Sequence, residues 1–375
     1  MRHLYLISLF LLSCFASYSQ DINQSYLDST GDDSLQAGSI SISVHNNNFL
    51  KNNEYFNPYT EGITYFGSQI QPEVSYAFSG KTRLSVGYFL RYYYGKEKFN
   101  TSLPVFRFDY FPCEGVKLTF GQLNGLLAHK LIEPIYSTDN YFKRNPENGI
   151  EFSFARRLVQ SSIWISWDHF ILPGDNSKEE ITSGINTSLR ILSTPWRSSL
   201  SFNLQGIIHH YGGQVDQAHT PLETRLNLAP GMEFTYWPAP NAITRLILAS
   251  YLVQASDPSG TVTIPYKKGW AGYSFLSISH RSLSLTVAWF HGEYYFTPMG
   301  DHMFQSVSEL NNWYASDTRN LLNGKFLFDR QIAKGVKLGI RFESYYDPQQ
   351  KTIDYCYGMN LKADAGWLLS KRKTR

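Results

Sequence analysis

The sequence predicts an all-β protein, a transmembrane antiparallel up-and-down β-barrel of about sixteen strands with short periplasmic turns and longer extracellular loops. Three observations carry that expectation. Apolar and polar residues alternate in run after run, which sends them to opposite faces of a strand and would scramble them around a helix. The best runs reach the ~9–11 residues that cross a bilayer at a tilt. The connections between runs are alternately short and long along the whole chain.

The alternation is clearest at the carboxyl end. Ile353, Tyr355, Tyr357, Met359, Leu361, Ala363, Ala365 and Trp367 form one set, and Asp354, Cys356, Gly358, Asn360, Lys362, Asp364 and Gly366 form the other. Taken from the start, Ile40, Ile42 and Val44 open the first strand. Val74, Tyr76 and Phe78 lead through Ser79-Gly80-Lys81 into a strand that sets Leu84, Val86, Tyr88 and Leu90 against Ser85, Gly87 and Arg91. Phe106, Phe108 and Tyr110 oppose Arg107 and Asp109; Ile150 and Phe152 oppose Glu151; Ile163, Ile165 and Trp167 oppose Ser166 and Asp168; Leu189 and Ile191 oppose Arg190. Pro230-Gly231 interrupts the strand around Leu226 to Phe234, where a bulge is expected. The stretches Ala242 to Val253 and Gly269 to His280 are apolar on both parities and give no clear register. Leu285 and Val287, Phe326 and Phe328, then Leu338, Ile340 and Phe342 against Lys337, Arg341 and Glu343 restore the pattern.

The amino terminus, MRHLYLISLFLLSCFASYSQ, has a basic start, an apolar core from Leu4 to Leu12 and small residues after it, and it reads as a signal peptide over 1–19. Leu11-Leu12-Ser13-Cys14 offers the alternative of lipidation at Cys14. An extended lead-in at 20–37, the barrel over 38–369 and a basic tail at 370–375 complete the division. Tyr, Phe and Trp make up 16% of the chain, which suits strands and interfacial aromatic girdles. A mean hydropathy of -0.30, with no apolar run of ~18 residues beyond the amino terminus, disfavours helical spans. A net charge of +3 gives no reason to expect a nucleic-acid partner. With Cys14 removed, Cys113 and Cys356 are too few for a disulfide framework.

The inferred inner face carries Arg91, Arg107, Asp109, Glu151, Arg157, Arg190, Arg225, Lys337 and Arg341, the lining a water-filled lumen needs, with basic groups in excess. His209-His210 and His291-Gly292-Glu293 lack further donors at metal-binding spacing, so neither a metal nor another cofactor is expected. Ser166, Asp168 and His169 are close in sequence, but Asp168 and His169 fall on opposite faces of one strand, which argues against a triad. No phosphate-binding Gly-rich loop, nucleophile elbow or zincin helix is found.

In the alternation and the loop order, though in no signature motif, the chain resembles the sixteen-strand porins of Gram-negative outer membranes. The resemblance implies that the third outer loop folds into the lumen and forms the constriction. Here that loop is Asn124 to Asn148, whose Glu133, Asp139 and Glu147 would face wall arginines. Its Leu126, Leu127, Leu131, Ile132 and Ile135 speak equally for burial at the rim or against a neighbouring barrel. The chain departs from the porin pattern by running past Trp367 into a basic tail. The expected function is passive diffusion of small hydrophilic solutes without covalent chemistry, with outer-membrane lipid, those solutes and possible further copies of the chain as partners. The alternatives are a barrel acting on lipid as an enzyme, an envelope assembly or docking scaffold, and a transporter of hydrophobic solutes.

Overall fold

The computed structural model describes residues 36–370 apart from 126–127, 145, 195–196, 214, 239–243, 261 and 312. The signal peptide, Cys14, most of the lead-in and the basic tail beyond Ser370 lie outside the described residues, as do Leu126 and Leu127. Sixteen antiparallel strands close on themselves, each paired with its neighbours in sequence and β1 with β16. They are β1 (Ile40–Glu54), β2 (Thr64–Ser79), β3 (Thr82–Tyr93), β4 (Thr101–Tyr110), β5 (Val116–Gln122), β6 (Asn148–Ala155), β7 (Val159–His169) and β8 (Glu179–Ser193). The second half follows as β9 (Ser198–Gly212), β10 (Glu223–Tyr236), β11 (Thr244–Ser256), β12 (Lys268–His280), β13 (Leu283–Glu293), β14 (Thr318–Ala333), β15 (Val336–Asp347) and β16 (Thr352–Ser370). The joins at the end that holds the start of β1 and the end of β16 are short and the loops at the other end are longer, as the sequence led us to expect, except that β15 and β16 are joined there by a turn of residues 348–351 alone.

The pleat explains the code. In β16, Cys356 and Asn360 are buried while Ile353, Tyr357 and Met359 are exposed, so the greasy set faces lipid and the polar set faces inward. Closure follows from the same register, with Ile42 opposite Trp367 and Leu50 opposite Met359. A closed sheet leaves no edge whose backbone groups would go unpaired in hydrocarbon.

The two stretches that gave no register are ordinary strands, β11 and β12. Ile247, Ala249, Tyr251, Val253 and Ala255 are buried while Leu248 and Leu252 are exposed. Both parities are apolar because the inner face of this wall packs against loops that enter the barrel, so it has no need of polar side chains. The bulge expected at Pro230-Gly231 is absent: Leu228 pairs with Gln254 and Gly231 with Tyr251, three residues on in each strand, so the register does not slip. Pro230 lacks an N–H for the ladder, and Gly231 makes room for the Tyr251 ring, which a Cβ there would strike.

Candidate functional site

Two extracellular loops occupy the lumen. The third, L3 (residues 123–147), carries one turn of helix, α1 (Asn140–Lys143); the seventh, L7 (residues 294–317), carries a 3₁₀ turn at His302–Phe304. They are tied together: Ser137 N–H donates to the Met299 carbonyl at 2.8 Å, Asp301 N–H to the Glu133 carbonyl at 3.0 Å, and Tyr295 hydroxyl to the Pro134 carbonyl at 2.6 Å. Ile132, Ile135, Phe296, Met303 and Phe304 bury themselves against Ala249, Tyr273 and Phe290 of the wall. This is where Leu131, Ile132 and Ile135 of the loop go. Burial inside the barrel, rather than at the rim, satisfies them.

Polar contacts fix L3 to walls on all sides. Asn186 donates to the His129 carbonyl at 2.8 Å, Gln205 accepts from Ile132 N–H at 2.9 Å, and Arg91 donates to the Tyr141 carbonyl at 3.1 Å. Glu133 is clasped by Lys325 and by Arg341, the latter at 3.1 Å, and Asp139 is paired with Lys51 and accepts from Asn53 at 2.8 Å. Burial pushes both carboxyls up, yet the cations beside them outweigh it and hold both below the usual carboxylate range. Glu147 does not face the wall arginines as expected. It stays within the loop, 2.5 Å from His129 and 2.8 Å from the Tyr136 hydroxyl. Burial opposes its charge, but His129 and these hydrogen bonds keep it low, and Glu147 in turn raises His129 against the opposing effect of burial. The His129 ring stacks on Trp164 at 3.6 Å, and Gly184 opposite leaves the space that the indole fills.

Of the wall residues named from sequence, Arg91, Asp109, Glu151 and Arg341 are buried on the inner face, and Arg107 joins them partly exposed. Arg225 lies at the extracellular end, 2.7 Å from Glu223 and 3.5 Å from Asp257, far along the barrel from Arg190 and Lys337 near the periplasmic mouth. Arg157 is a correction: it is exposed in the turn between β6 and β7, because the strand ends two residues earlier. Among the described residues no cluster of His, Cys, Asp and Glu has the makings of a metal site.

Two constellations of hydroxyl, imidazole and carboxylate stand near the extracellular end of β7 to β9. Inside, Thr182 hydroxyl donates to Asp168 at 2.5 Å and lies 3.1 Å from His209 Nδ1, while Ser166 donates to Asp168 at 3.1 Å. Arg144 of L3 covers Asp168 at 3.3 Å. Here the hydroxyl separates carboxylate from imidazole, so the acid cannot orient the base. Outside, His169 Nε2 and Ser177 Oγ are 2.9 Å apart. The β7–β8 register slips between Trp167 and His169, and such a bulge re-aims the side chain beside it. Glu179 accepts from the Trp167 indole at 2.9 Å on the same face, and exposed Phe170 and Leu172 border the pair. Asp168 and His169 do face opposite sides, as read from sequence, but Ser177 was missed. Its only signal is eight residues of separation, which has no meaning until the β7–β8 hairpin folds it back.

The class is thus an outer-membrane β-barrel of sixteen strands with an occupied lumen. The fold is shared with solved barrels: OccK2 (OpdF) of Pseudomonas aeruginosa, solved in complex with glucuronate, matches with a TM-score of 0.51 at 11% identity over 89% of this chain and 100% of that one. OprD of the same organism gives 0.49 at 11% identity over 91% and 100%, and OccAB3 of Acinetobacter baumannii 0.49 at 10% over 88% and 99%. Residues 32–372 match the Lipid A 3'-O-deacylase-type family, and the chain belongs to that family. This overturns the expectation of a protein without covalent chemistry, because the family is one of enzymes. No curated protein sequence matches the chain.

Proposed function

We propose that this protein is an outer-membrane acyl-ester hydrolase acting on a lipid A-type glycolipid, with Ser177 as nucleophile and His169 as general base. The observation that carries the reading is the 2.9 Å contact between Ser177 Oγ and His169 Nε2 on the outer wall, at the extracellular end of the barrel where outer-leaflet lipid lies. His169 takes the hydroxyl proton as Oγ attacks the ester carbonyl, then returns it to the departing sugar oxygen; water releases the acyl group from Ser177 by the reverse sequence. Exposed Trp167, Phe170 and Leu172 provide an apolar bed for an acyl chain. The substrate class comes from the family, and the position of the pair on the outer wall supports the reading.

The test is release of fatty acid from lipid A in detergent micelles, followed by mass spectrometry. Wild-type protein removes an ester-linked chain; Ser177→Ala and His169→Asn reduce the rate by at least about 10²-fold, the size of one base contribution. Ser166→Ala and His209→Asn stay near wild type. Full activity in Ser177→Ala overturns the assignment.

A second reading, conduction of small hydrophilic solutes, is favoured by the polar chamber that remains under L3. In that reading L3 sets selectivity, and planar-bilayer recordings in which neutralising Glu133, Asp139 and Glu147 leaves conductance unchanged would remove the loop from the path.

A further inference from the structure

The plug does not fill the lumen. Beneath L3, a cavity of about 480 Å³ runs down the wall of β16 and β1–β5 towards the periplasmic mouth, within the ~300–1,000 Å³ typical of small-ligand sites. Its lining holds Arg83, Arg91, Arg107, Lys117 and Lys362 against two carboxylates, Glu73 and Asp364. Both acids sit by one imidazole, His45, which is 2.9 Å from Asp364 and 4.0 Å from Glu73. Arg83 of β3, Arg107 of β4 and Lys117 of β5 converge instead on Asp109 just behind the lining. Arg83 Nη2 is 2.8 Å from its carboxylate, Arg107 Nε 3.1 Å and Lys117 Nζ 3.5 Å, and Thr119 hydroxyl donates at 2.9 Å. Three cations thus meet over one fully buried carboxylate. Across the cavity the amides of Gln71 and Gln122 face each other at 2.9 Å, a group able to exchange its partner for a sugar hydroxyl.

A separate feature points the same way. Among the described turn residues at the periplasmic end, Lys81, Arg156, Arg157, Arg197, Arg281 and Lys334 are answered by Glu114 alone. A basic rim over a low-dielectric mouth raises the local concentration of anions and guides them inward.

We propose that this chamber is a periplasm-facing binding site for a small phosphorylated or carboxylated sugar, its oxyanion on Arg83, Arg107 and Lys117 and its hydroxyls on Gln71, Gln122 and Ser85. Guanidinium groups suit such anions because their forked donors match two oxygens at once. The site is on the other side of the wall from Ser177 and His169 and needs no acyl transfer, so it stands or falls independently of the hydrolase reading.

Calorimetric titration of the full-length, detergent-folded protein tests it, with glucose 6-phosphate, glucuronate, glucose and inorganic phosphate as probes. Saturable one-to-one binding of either charged sugar and none of glucose is expected, weakening as salt rises. Arg107→Gln with Lys117→Gln should loosen binding by about tenfold or more, since each removes a charge-assisted contact. Asp109→Asn should tighten it, because the resident carboxylate no longer competes for the same cations, and Arg107→Lys should retain part of the affinity. Heat-modifiable migration shows which variants are folded, and the Arg107→Lys comparison remains available where Asp109→Asn fails to fold. No saturable binding of either charged sugar, or equal affinity in wild type and the double variant, overturns the proposal. Phosphate binding as tightly as glucose 6-phosphate would overturn the sugar assignment.

Discussion

The two sides of this lumen are built by different means. Along β11 to β15 the wall turns Ala249, Tyr273, Phe290 and Leu321 inward, and L3 and L7 cover them with Ile135, Phe296 and Phe304, so that the barrel has a core like that of a soluble domain. Along β16 and β1 to β5 the wall turns Ser, Gln, Arg and Lys inward, and a polar cavity remains. The lesson is that the inner face of one barrel can be dry or wet according to what the loops bring to it. The polar side keeps a cavity open to water, while the apolar side is closed by the loops.

The comparison is broken most severely at the ion cluster that seats L3 on the dry side. Lys325→Met leaves Glu133 buried with Arg341 as its remaining cation, and removing one partner of a buried pair costs about 3–5 kcal/mol. A lower temperature for loss of the compact, heat-modifiable form would register it. Ile135→Ala leaves a cavity in the plug and should cost about 2–4 kcal/mol by the same assay.

Acid should separate the two sides next. Glu133, Asp139 and Glu147 are held below their ordinary values, so their stabilisation is present above the unfolded carboxylate range of about 4 and is lost as pH falls through the depressed values. His129 is raised, so its contribution is complete below about pH 6.5 and is lost as pH rises through its folded value. L3 should therefore be seated best between those limits, and protease protection of the loop against pH measures it; protection unchanged down to strong acid would contradict the pairing. The smallest effect is expected on the wet side, where Gln71→Ala removes one of two facing amides and should cost about 1 kcal/mol or less.

What the sequence made legible follows from what is local. The alternation in β16 and the loop order depend only on the pleat and on the membrane, so strand number and orientation could be read directly. The inner faces of β11 and β12 could not, because their apolar residues answer to Phe296 and Phe304 in L7, brought there only by folding. The same holds at the sites. Arg91 and Arg341 are inward by parity, and Glu133 does meet the wall arginine Arg341, whereas Asp139 meets Lys51 in place of an arginine; Arg157 was misplaced because a strand end carries no parity signal. Ser177 was invisible because its partner lies across a loop.

The most direct test of the central claim is covalent trapping at the outer wall. A lipid-linked phosphonate ester, a mimic of the acyl group under attack, is incubated with the folded protein and the adduct is mapped by peptide mass spectrometry. The account predicts a single adduct on Ser177 that His169→Asn abolishes. An adduct on Thr182 or Ser166, or labelling of Ser177 that is indifferent to His169, would contradict it.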